Sequence, residues 1–212
     1  MQKPISSDTV PYISGDIVCL IELASSIGWE GVRELSIYRI LYLSSVLYSF
    51  RYPSATNPFI EHYHFSVVPT GPYSDDIKNS IIFLEANEFI EQSKGNIYIP
   101  GKNPTPEISR LPNHEIKKQW IKTILLILGV YGESKVYEFV IRDPQYQDNI
   151  ERNLITEIDV SAANLSTVAL NQFKASFEET LGSKAERIDS KEYLELYFDY
   201  VFSKVLKGEI RL

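Results

Sequence analysis

Two of the three histidines, the residues best suited to bind a metal or carry acid–base chemistry, lie two positions apart. His62 and His64 alternate with Tyr63 and Phe65 in a run typical of a half-buried strand, so both imidazoles are expected on one face. Zinc or a non-haem metal needs at least a third protein ligand, and His114 lies far along the chain. We therefore predict two polar residues on a solvated strand face and no metal site.

Two Glu-x-Lys triplets contain one part of a metal-dependent nuclease site, in which carboxylates hold a cation and a lysine assists the attacking water. They are Glu115 to Lys117 and Glu133 to Lys135. Both fall in predicted helices rather than on a strand that follows an acidic residue, and such triplets arise easily in helical sequence. A nuclease is therefore a minor hypothesis, which predicts loss of activity when Glu115 or Glu133 is changed.

Other reactive residue types have simpler explanations. Cys19 is the single cysteine and lies in an apolar helical pattern, where a free thiol behaves as a small hydrophobic group. Asp75 and Asp76 are neighbours on a predicted helix and point about 100° apart, so they do not form an acid–base pair. Phosphate-loop, dinucleotide, His-Glu-x-x-His and strand-flanked Gly-x-Ser-x-Gly motifs are missing. We predict no catalytic residue, no cofactor and no enzymatic activity.

The composition limits the classes of partner. The 212 residues include 21 basic and 28 acidic side chains, a net charge of −7 that repels a phosphate backbone on average. With 44% hydrophobic residues, the chain can bury a sizeable core as one domain or two closely packed ones. Its apolar runs are shorter than the roughly 20 residues that span a membrane. We expect a cytoplasmic protein without a membrane partner.

The elements that position these residues follow the order of a winged helix in the N-terminal half, residues 1–100. The predicted elements are helices at 16–27 and 35–50, a strand at 62–68, a turn at 70–72, a helix after Ser74, and strands at 89–92 and 97–99. Ser74 is placed to cap the third helix. The inward-facing residues of that helix are predicted to be Ile77, Ile81, Ile82 and Leu84.

A Pro-rich linker at 101–112 precedes a helical half at 113–212, which we expect to pack on the first half. The predicted helices are 113–131, 134–142, one that restarts at Asp143 and Pro144, 161–181, and 191–206. Aspartate at the cap and proline at the first helical position favour that restart. The predicted fold class is therefore α+β and mainly helical.

The last predicted helix, residues 191–206, is apolar around most of its circumference. A surface helix needs an apolar arc of only about a third, so this helix is either sunk in the core or covered by another chain. Tyrosine and phenylalanine suit both environments. The residues available for a partner would be Tyr193, Tyr197, Tyr200 and Phe202.

The predicted DNA-reading helix has the wrong charge for a groove. Its first turn contains Asp75 and Asp76, whereas an inserted helix meets phosphate there. Between residues 35 and 99 there are four basic and six acidic residues, a balance of −2. We therefore expect this half to hold protein rather than DNA.

Four segments together resemble a known group of proteins. They are SIYRILYLSSVLYSF, HYHFSVVPTGPYSDDI, FLEANEFIE and KVYEFVIRDPQYQDNIE. The first three resemble the Gly-Pro-Tyr-Ser segment shared by SocA-type antitoxin domains and by middle components of bacterial ABC three-component defence systems, including the Lamassu accessory subunit. The fourth is closer to the middle components. The resemblance spans residues 15 to 150.

The resemblance implies a non-enzymatic subunit that docks on an SMC-like ATPase and joins it to an effector, often a nuclease, in anti-phage defence. DNA would be reached only through the complex. The anchors expected near the shared motif are Pro72, Tyr73 and Asp75, with Pro72 fixing the turn that presents Tyr73. A Tyr73 packed under the hairpin is the alternative. The alternative function is a DNA-binding regulator or antitoxin.

Overall fold

The computed structural model describes residues 9–105, 108–152 and 157–206. The ends of the two predicted halves at 1–8 and 207–212, together with 106–107 of the linker and 153–156, lie outside the described residues. The architecture is α+β and mainly helical, as the sequence predicts. The N-terminal half contains α1 (Val10–Ser26), β1 (Val32–Arg33), α2 (Glu34–Arg51), β2 (Ser66–Val68), β3 (Gly71–Tyr73), α3 (Asp75–Ala86), β4 (Ile90–Ser93) and β5 (Ile97–Pro100).

Helix α2 forms the centre of the molecule. Every residue from Ser36 to Phe50 except Arg39 is buried, so other parts of the protein cover α2 on nearly every side. Ser44 and Ser45 inside this run do not bury unpaired hydroxyls, because each hydroxyl donates to the carbonyl oxygen four residues earlier. Helices of the C-terminal half pack against α2.

The predicted hairpin is confirmed and has a third strand. β4 and β5 pair antiparallel with Ser93 opposite Ile97, and the turn between them places Gly95 and Asn96 at positive φ. β1 pairs with the other edge of β5, which gives the strand order β1-β5-β4. A small sheet therefore lies beside α1, α2 and α3.

The strand predicted at 62–68 is wrong in its first half. Only Ser66–Val68 is a strand, because Tyr63 and Phe65 are instead fixed by long-range bonds: the Tyr63 hydroxyl donates to Asp16 and the Phe65 carbonyl accepts from the Ile158 N–H. The turn predicted at 70–72 is also displaced toward the N-terminus. The chain reverses at residues 69–70, and Gly71–Tyr73 forms β3, paired with β2.

The predicted linker packs closely against the first half. The Gly101 N–H donates to the Phe89 carbonyl at 3.0 Å, and a Cβ on Gly101 would lie 2.1 Å from the Glu88 carbonyl oxygen. Only glycine fits that approach. Farther along, a short 3₁₀ turn (Ile108–Arg110) brings Ile108 and Leu111 against Gly15 of α1.

The C-terminal half is helical, with some boundaries shifted. It contains α4 (His114–Gly129), a 3₁₀ turn (Glu133–Lys135), α5 (Val136–Val140), α6 (Pro144–Glu151), α7 (Leu165–Leu181), a 3₁₀ turn (Gly182–Arg187) and α8 (Ser190–Leu206). The restart is confirmed, since the Asp143 carboxylate accepts from the Tyr146 N–H. α7 begins at Leu165 rather than Ser161, because the Asn164 side chain caps it by accepting from the Thr167 N–H.

Buried hydrophobic residues of both halves form one continuous cluster. Trp120 of α4 is fully buried, and its indole N–H donates to the Ser44 carbonyl of α2 at 2.7 Å. The Tyr42 hydroxyl of α2 likewise donates to the buried Asp143 carboxylate. The division into two domains at 101–112 stays a prediction. Hydrogen bonds and hydrophobic packing both connect the N-terminal and C-terminal halves.

Candidate partner-binding surface

The Gly-Pro-Tyr segment is held against α2 by Arg39. The Arg39 guanidinium donates to the Thr70 carbonyl at 2.7 Å and lies 4.5 Å from the centre of the Tyr137 ring. Gly71 has φ of +126°, and a Cβ there would approach the Arg39 Nε to 3.3 Å. The positive φ therefore favours glycine at this position. Pro72 is buried and is not a surface anchor itself.

Tyr73 is half-buried, with its ring stacked on Tyr38 at a centroid distance of 5.5 Å. Its hydroxyl donates to the exposed Asp75 carboxylate at 3.0 Å. Ser74 occupies the cap position of α3, but its hydroxyl makes no capping bond, contrary to the prediction. Asp75 is the most accessible of the three expected anchors, and the role of the half-buried Tyr73 as an anchor stays a prediction.

The structure places α8 against the core, which changes the interpretation of its aromatic residues. Tyr193 and Phe202 are buried, Tyr197 is half-buried, and Tyr200 is exposed. The rings of Phe139 and Phe198 stack at 3.9 Å, so α8 packs on α5 through its apolar side. Tyr193 and Phe202 therefore contribute to the interior rather than to an accessible surface.

The exposed side of α3 includes two apolar residues, and the segment around this helix has a net negative charge. Ile82 and Phe83 are 54% and 43% exposed. Between residues 75 and 88 the chain has four acidic residues and one basic one, a balance of 4 − 1 = 3 negative charges. Those charged residues are Asp75, Asp76, Lys78, Glu85 and Glu88. We call this surface, comprising these seven residues, the α3 face.

A cleft of about 380 Å³ lies beside the α3 face, between α1, α3 and the segment after β5. Its lining is almost entirely apolar. The residues are Val10, Pro11, Ser14, Gly15, Phe83, Leu84, Phe89, Thr105, Ile108 and Leu111. We call this feature the α1–α3 cleft. Because Phe83 belongs to both features, the α3 face and the cleft form one continuous surface.

The two neighbouring histidines do not converge on a metal. His62 stacks on Tyr12 at 4.2 Å, whereas His64 lies between Asp76 and Glu157 at 3.5 and 3.8 Å. Burial lowers the pKa of His62 below its usual value. In 9–105, 108–152 and 157–206, no group of three or more metal-binding side chains is found.

The residues of the two Glu-x-Lys triplets lie in different surroundings. Lys117 is buried and donates to Asp16 at 2.8 Å, while the Glu115 side chain is 69% exposed. In the second triplet, Glu133 accepts hydrogen bonds from the backbone N–H and the guanidinium of Arg33. Lys117 and Glu133 therefore have structural partners in the fold.

Burial raises the pKa of the Cys19 thiol to about 12, which makes it a poor nucleophile at neutral pH.

Sequence reasoning missed the residues that form the α1–α3 cleft and misplaced Ile82. Adjacent residues on a helix point about 100° apart, so Ile81 and Ile82 could not both face the same narrow core. Ile81 is buried and Ile82 is exposed. A stricter use of helical geometry would have found this signal. Ser14 and Phe89 have no comparable signal, because the cleft forms only when α1 and α3 meet.

Within the described segments, none of the helices combines the length and apolar character that a bilayer crossing requires. Comparison of the chain with protein-family models, with curated proteins and with solved structures finds no match.

Proposed function

We propose that this protein is a non-enzymatic adaptor subunit that binds a partner protein through the α3 face. The observation that carries the proposal is the pair Ile82 and Phe83, both exposed, on a net acidic helix in the position that a winged helix would insert into DNA. Phosphate contacts supply most of the affinity of non-specific DNA binding, and acidic side chains oppose them. Exposed apolar residues next to a cleft instead favour burial against protein.

The resemblance of the Gly-Pro-Tyr-Ser segment to middle components of ABC three-component defence systems suggests the class of partner. The adaptor would act in the cytoplasm, dock on an SMC-like ATPase and join it to an effector in anti-phage defence. Joining two proteins needs a second surface. For this we propose the outer side of α8, where Tyr200 is exposed and Tyr197 is half-buried.

Co-expression with the SMC-like ATPase that the proposal expects in the same operon tests the α3 face. The change Ile82→Glu puts a charge at the centre of the apolar contact, and we expect it to weaken ATPase binding about 30-fold, the effect of losing one interface hot spot. Ile116→Glu on α4 is the matched control, because Ile116 is 50% exposed and lies outside the α3 face. Binding would be measured by calorimetry on the purified complex.

A mobility-shift assay at low and moderate salt tests the alternative of a DNA-binding regulator. Binding driven by phosphate contacts weakens steeply as salt rises. We expect no salt-sensitive shift for the isolated chain. Tight, salt-sensitive DNA binding, or an operon without an ATPase that binds this chain, would contradict the adaptor function.

A further inference from the structure

Arg39 is the single residue of α2 between Ser36 and Phe50 that is not buried, and it has no carboxylate partner among the described residues. Its guanidinium contacts the Thr70 carbonyl and the Tyr137 ring, and neither group carries a negative charge. Partial burial lowers the pKa of Arg39, because the cation has lost part of its hydration. Arg39 is therefore a partly dehydrated cation without a counter-ion in the described structure.

Other arginines with a similar degree of burial are paired. Arg51 lies 3.6 Å from a carboxylate oxygen of Asp189, and Arg142 lies 2.8 Å from one of Glu138. A counter-ion is the usual arrangement for a cation that is withdrawn from water, because it replaces part of the lost hydration energy. Arg39 is the exception among the half-buried arginines in 9–105, 108–152 and 157–206.

The nearest negative charge does not serve as that counter-ion. The charge of the Glu133 carboxylate acts on Arg39, but Glu133 lies beyond ion-pair distance from it. Both Glu133 oxygens are already occupied, since one accepts from the Arg33 backbone N–H and the other from its guanidinium. A carboxylate for Arg39 would have to come from another molecule.

One nitrogen of the Arg39 guanidinium remains accessible to such a molecule. Nη2 donates to the Thr70 carbonyl at 2.7 Å, and Nε is enclosed and unpaired. Nη1 makes no hydrogen bond within the part of the chain that the structure describes, yet it is not one of the unpaired atoms that the protein encloses. Nη1 therefore faces solvent, where an oxygen atom of a ligand can reach it.

The surface beside this cation includes an exposed apolar side chain. Leu35 lies one helical turn before Arg39 on the same side of α2 and is 43% exposed. A polyphosphate backbone is not the expected ligand, because its binding needs several cations and the chain has a net charge of −7. One cation next to an aliphatic group instead suits a single acidic side chain of a protein.

We propose that Arg39 binds the carboxylate of an aspartate or glutamate side chain from a partner protein, and that an aliphatic residue of the same partner segment packs on Leu35. Arginine suits this role because its guanidinium is weakly hydrated and forms strong charge-assisted hydrogen bonds with carboxylates. Arg39 and Leu35 lie outside the α3 face. The inference therefore adds a separate contact to the proposed function and does not depend on it.

Capped synthetic peptides that contain Leu-Ser-Glu or Leu-Ser-Gln test the inference with the full-length protein. In an extended peptide the first and third side chains lie on one side, about 6.6 Å apart, which is close to the roughly 5–6 Å between residues one helical turn apart. Binding would be followed by NMR titration through the Nε–H signal of Arg39. We expect the Glu peptide to shift this signal and to bind about tenfold more tightly than the Gln peptide at low salt.

Variants of Arg39 separate its charge from its shape. Arg39→Gln removes the charge, so both peptides should bind equally. Arg39→Lys keeps the charge but loses the planar guanidinium, and it should retain a preference of about two- to threefold. Arg51→Gln is the matched control and should keep the tenfold preference, because Arg51 also lies over a tyrosine ring, that of Tyr52, but already pairs with Asp189. Melting temperatures would verify that all three variants fold.

Equal or undetectable binding of the Glu and Gln peptides to the wild-type protein would overturn the inference. A tenfold preference that survives Arg39→Gln, or one that is lost in Arg51→Gln, would also contradict it. If Arg39→Gln does not fold, the wild-type preference and the result with Arg39→Lys decide. The effect of Ile82→Glu on ATPase binding is a separate measurement, so either proposal can fail while the other stands.

Discussion

The ammonium group of Lys117 is buried between α1 and α4 and depends on one carboxylate for its charge partner. Its Nζ donates to Asp16 at 2.8 Å, and the Tyr63 hydroxyl donates to the same oxygen. Burial raises the pKa of Asp16, and the charge of Lys117 opposes that shift. Removal of one partner from a buried ion pair strongly destabilises a protein, because the other charge is then buried without a counter-charge.

We expect Lys117→Met to lower the free energy of unfolding by about 3–5 kcal/mol, since it leaves Asp16 buried without a cation. The double variant Asp16→Asn with Lys117→Met should recover most of that loss. Lys122→Met on the same helix is the control and should change stability by less than about 0.5 kcal/mol, because Lys122 is exposed. Urea denaturation measures all three variants. A small effect of Lys117→Met would mean that the pair is hydrated.

At the scale of one element, the position of α8 distinguishes a core helix from an interface helix. Phe198 is fully buried and stacks on Phe139, whereas Tyr200 is 49% exposed. Phe198→Ala should cost about 3–5 kcal/mol of stability, the usual effect of removing a buried aromatic ring. Tyr200→Ala should cost less than about 1 kcal/mol and leave the fold intact.

Thermal and urea unfolding of the isolated chain compare the two variants. Similar costs for both would contradict the orientation of α8. If Tyr200 contacts the effector, as proposed, Tyr200→Ala should weaken effector binding while ATPase binding is unchanged. That combination cannot result from a general loss of stability.

At the scale of the whole molecule, the continuous core predicts a single unfolding transition. Buried residues on both sides of 101–112 belong to one cluster, and the Trp120, Tyr42 and Lys117 contacts connect them. Neither half can lose its packing without exposing apolar surface of the other. In calorimetry we expect one peak whose measured enthalpy equals the van't Hoff enthalpy, the criterion for two-state unfolding. Two separate transitions would instead support independent domains.

Local patterns predicted much of the fold, because they reflect interactions between near neighbours in the chain. The hairpin at 90–100 follows from its turn residues, and α6 follows from the Asp143 cap and Pro144. Apolar residues at three- and four-residue steps predict the helix at 35–50, which α2 confirms. These features need no information about distant segments.

The candidate surface was predicted less well, because long-range packing decides it. The segment containing His62 alternates as a strand would, yet the contacts of Tyr63 with Asp16 and of Phe65 with Ile158 hold it in another conformation. Among the expected anchors, Tyr193 and Phe202 are buried against neighbouring helices.

The sequence alone determined the order and type of most elements and the acidic charge of α3, since both depend on residues close together in the chain. Only the tertiary structure decided which side of α8 is covered, that Lys117 pairs with Asp16, and that Ser14 meets Phe83 across a cleft. Those outcomes depend on how distant segments pack. The hydrophobic effect is non-directional, so a local sequence pattern does not specify which distant residues an apolar side chain will contact.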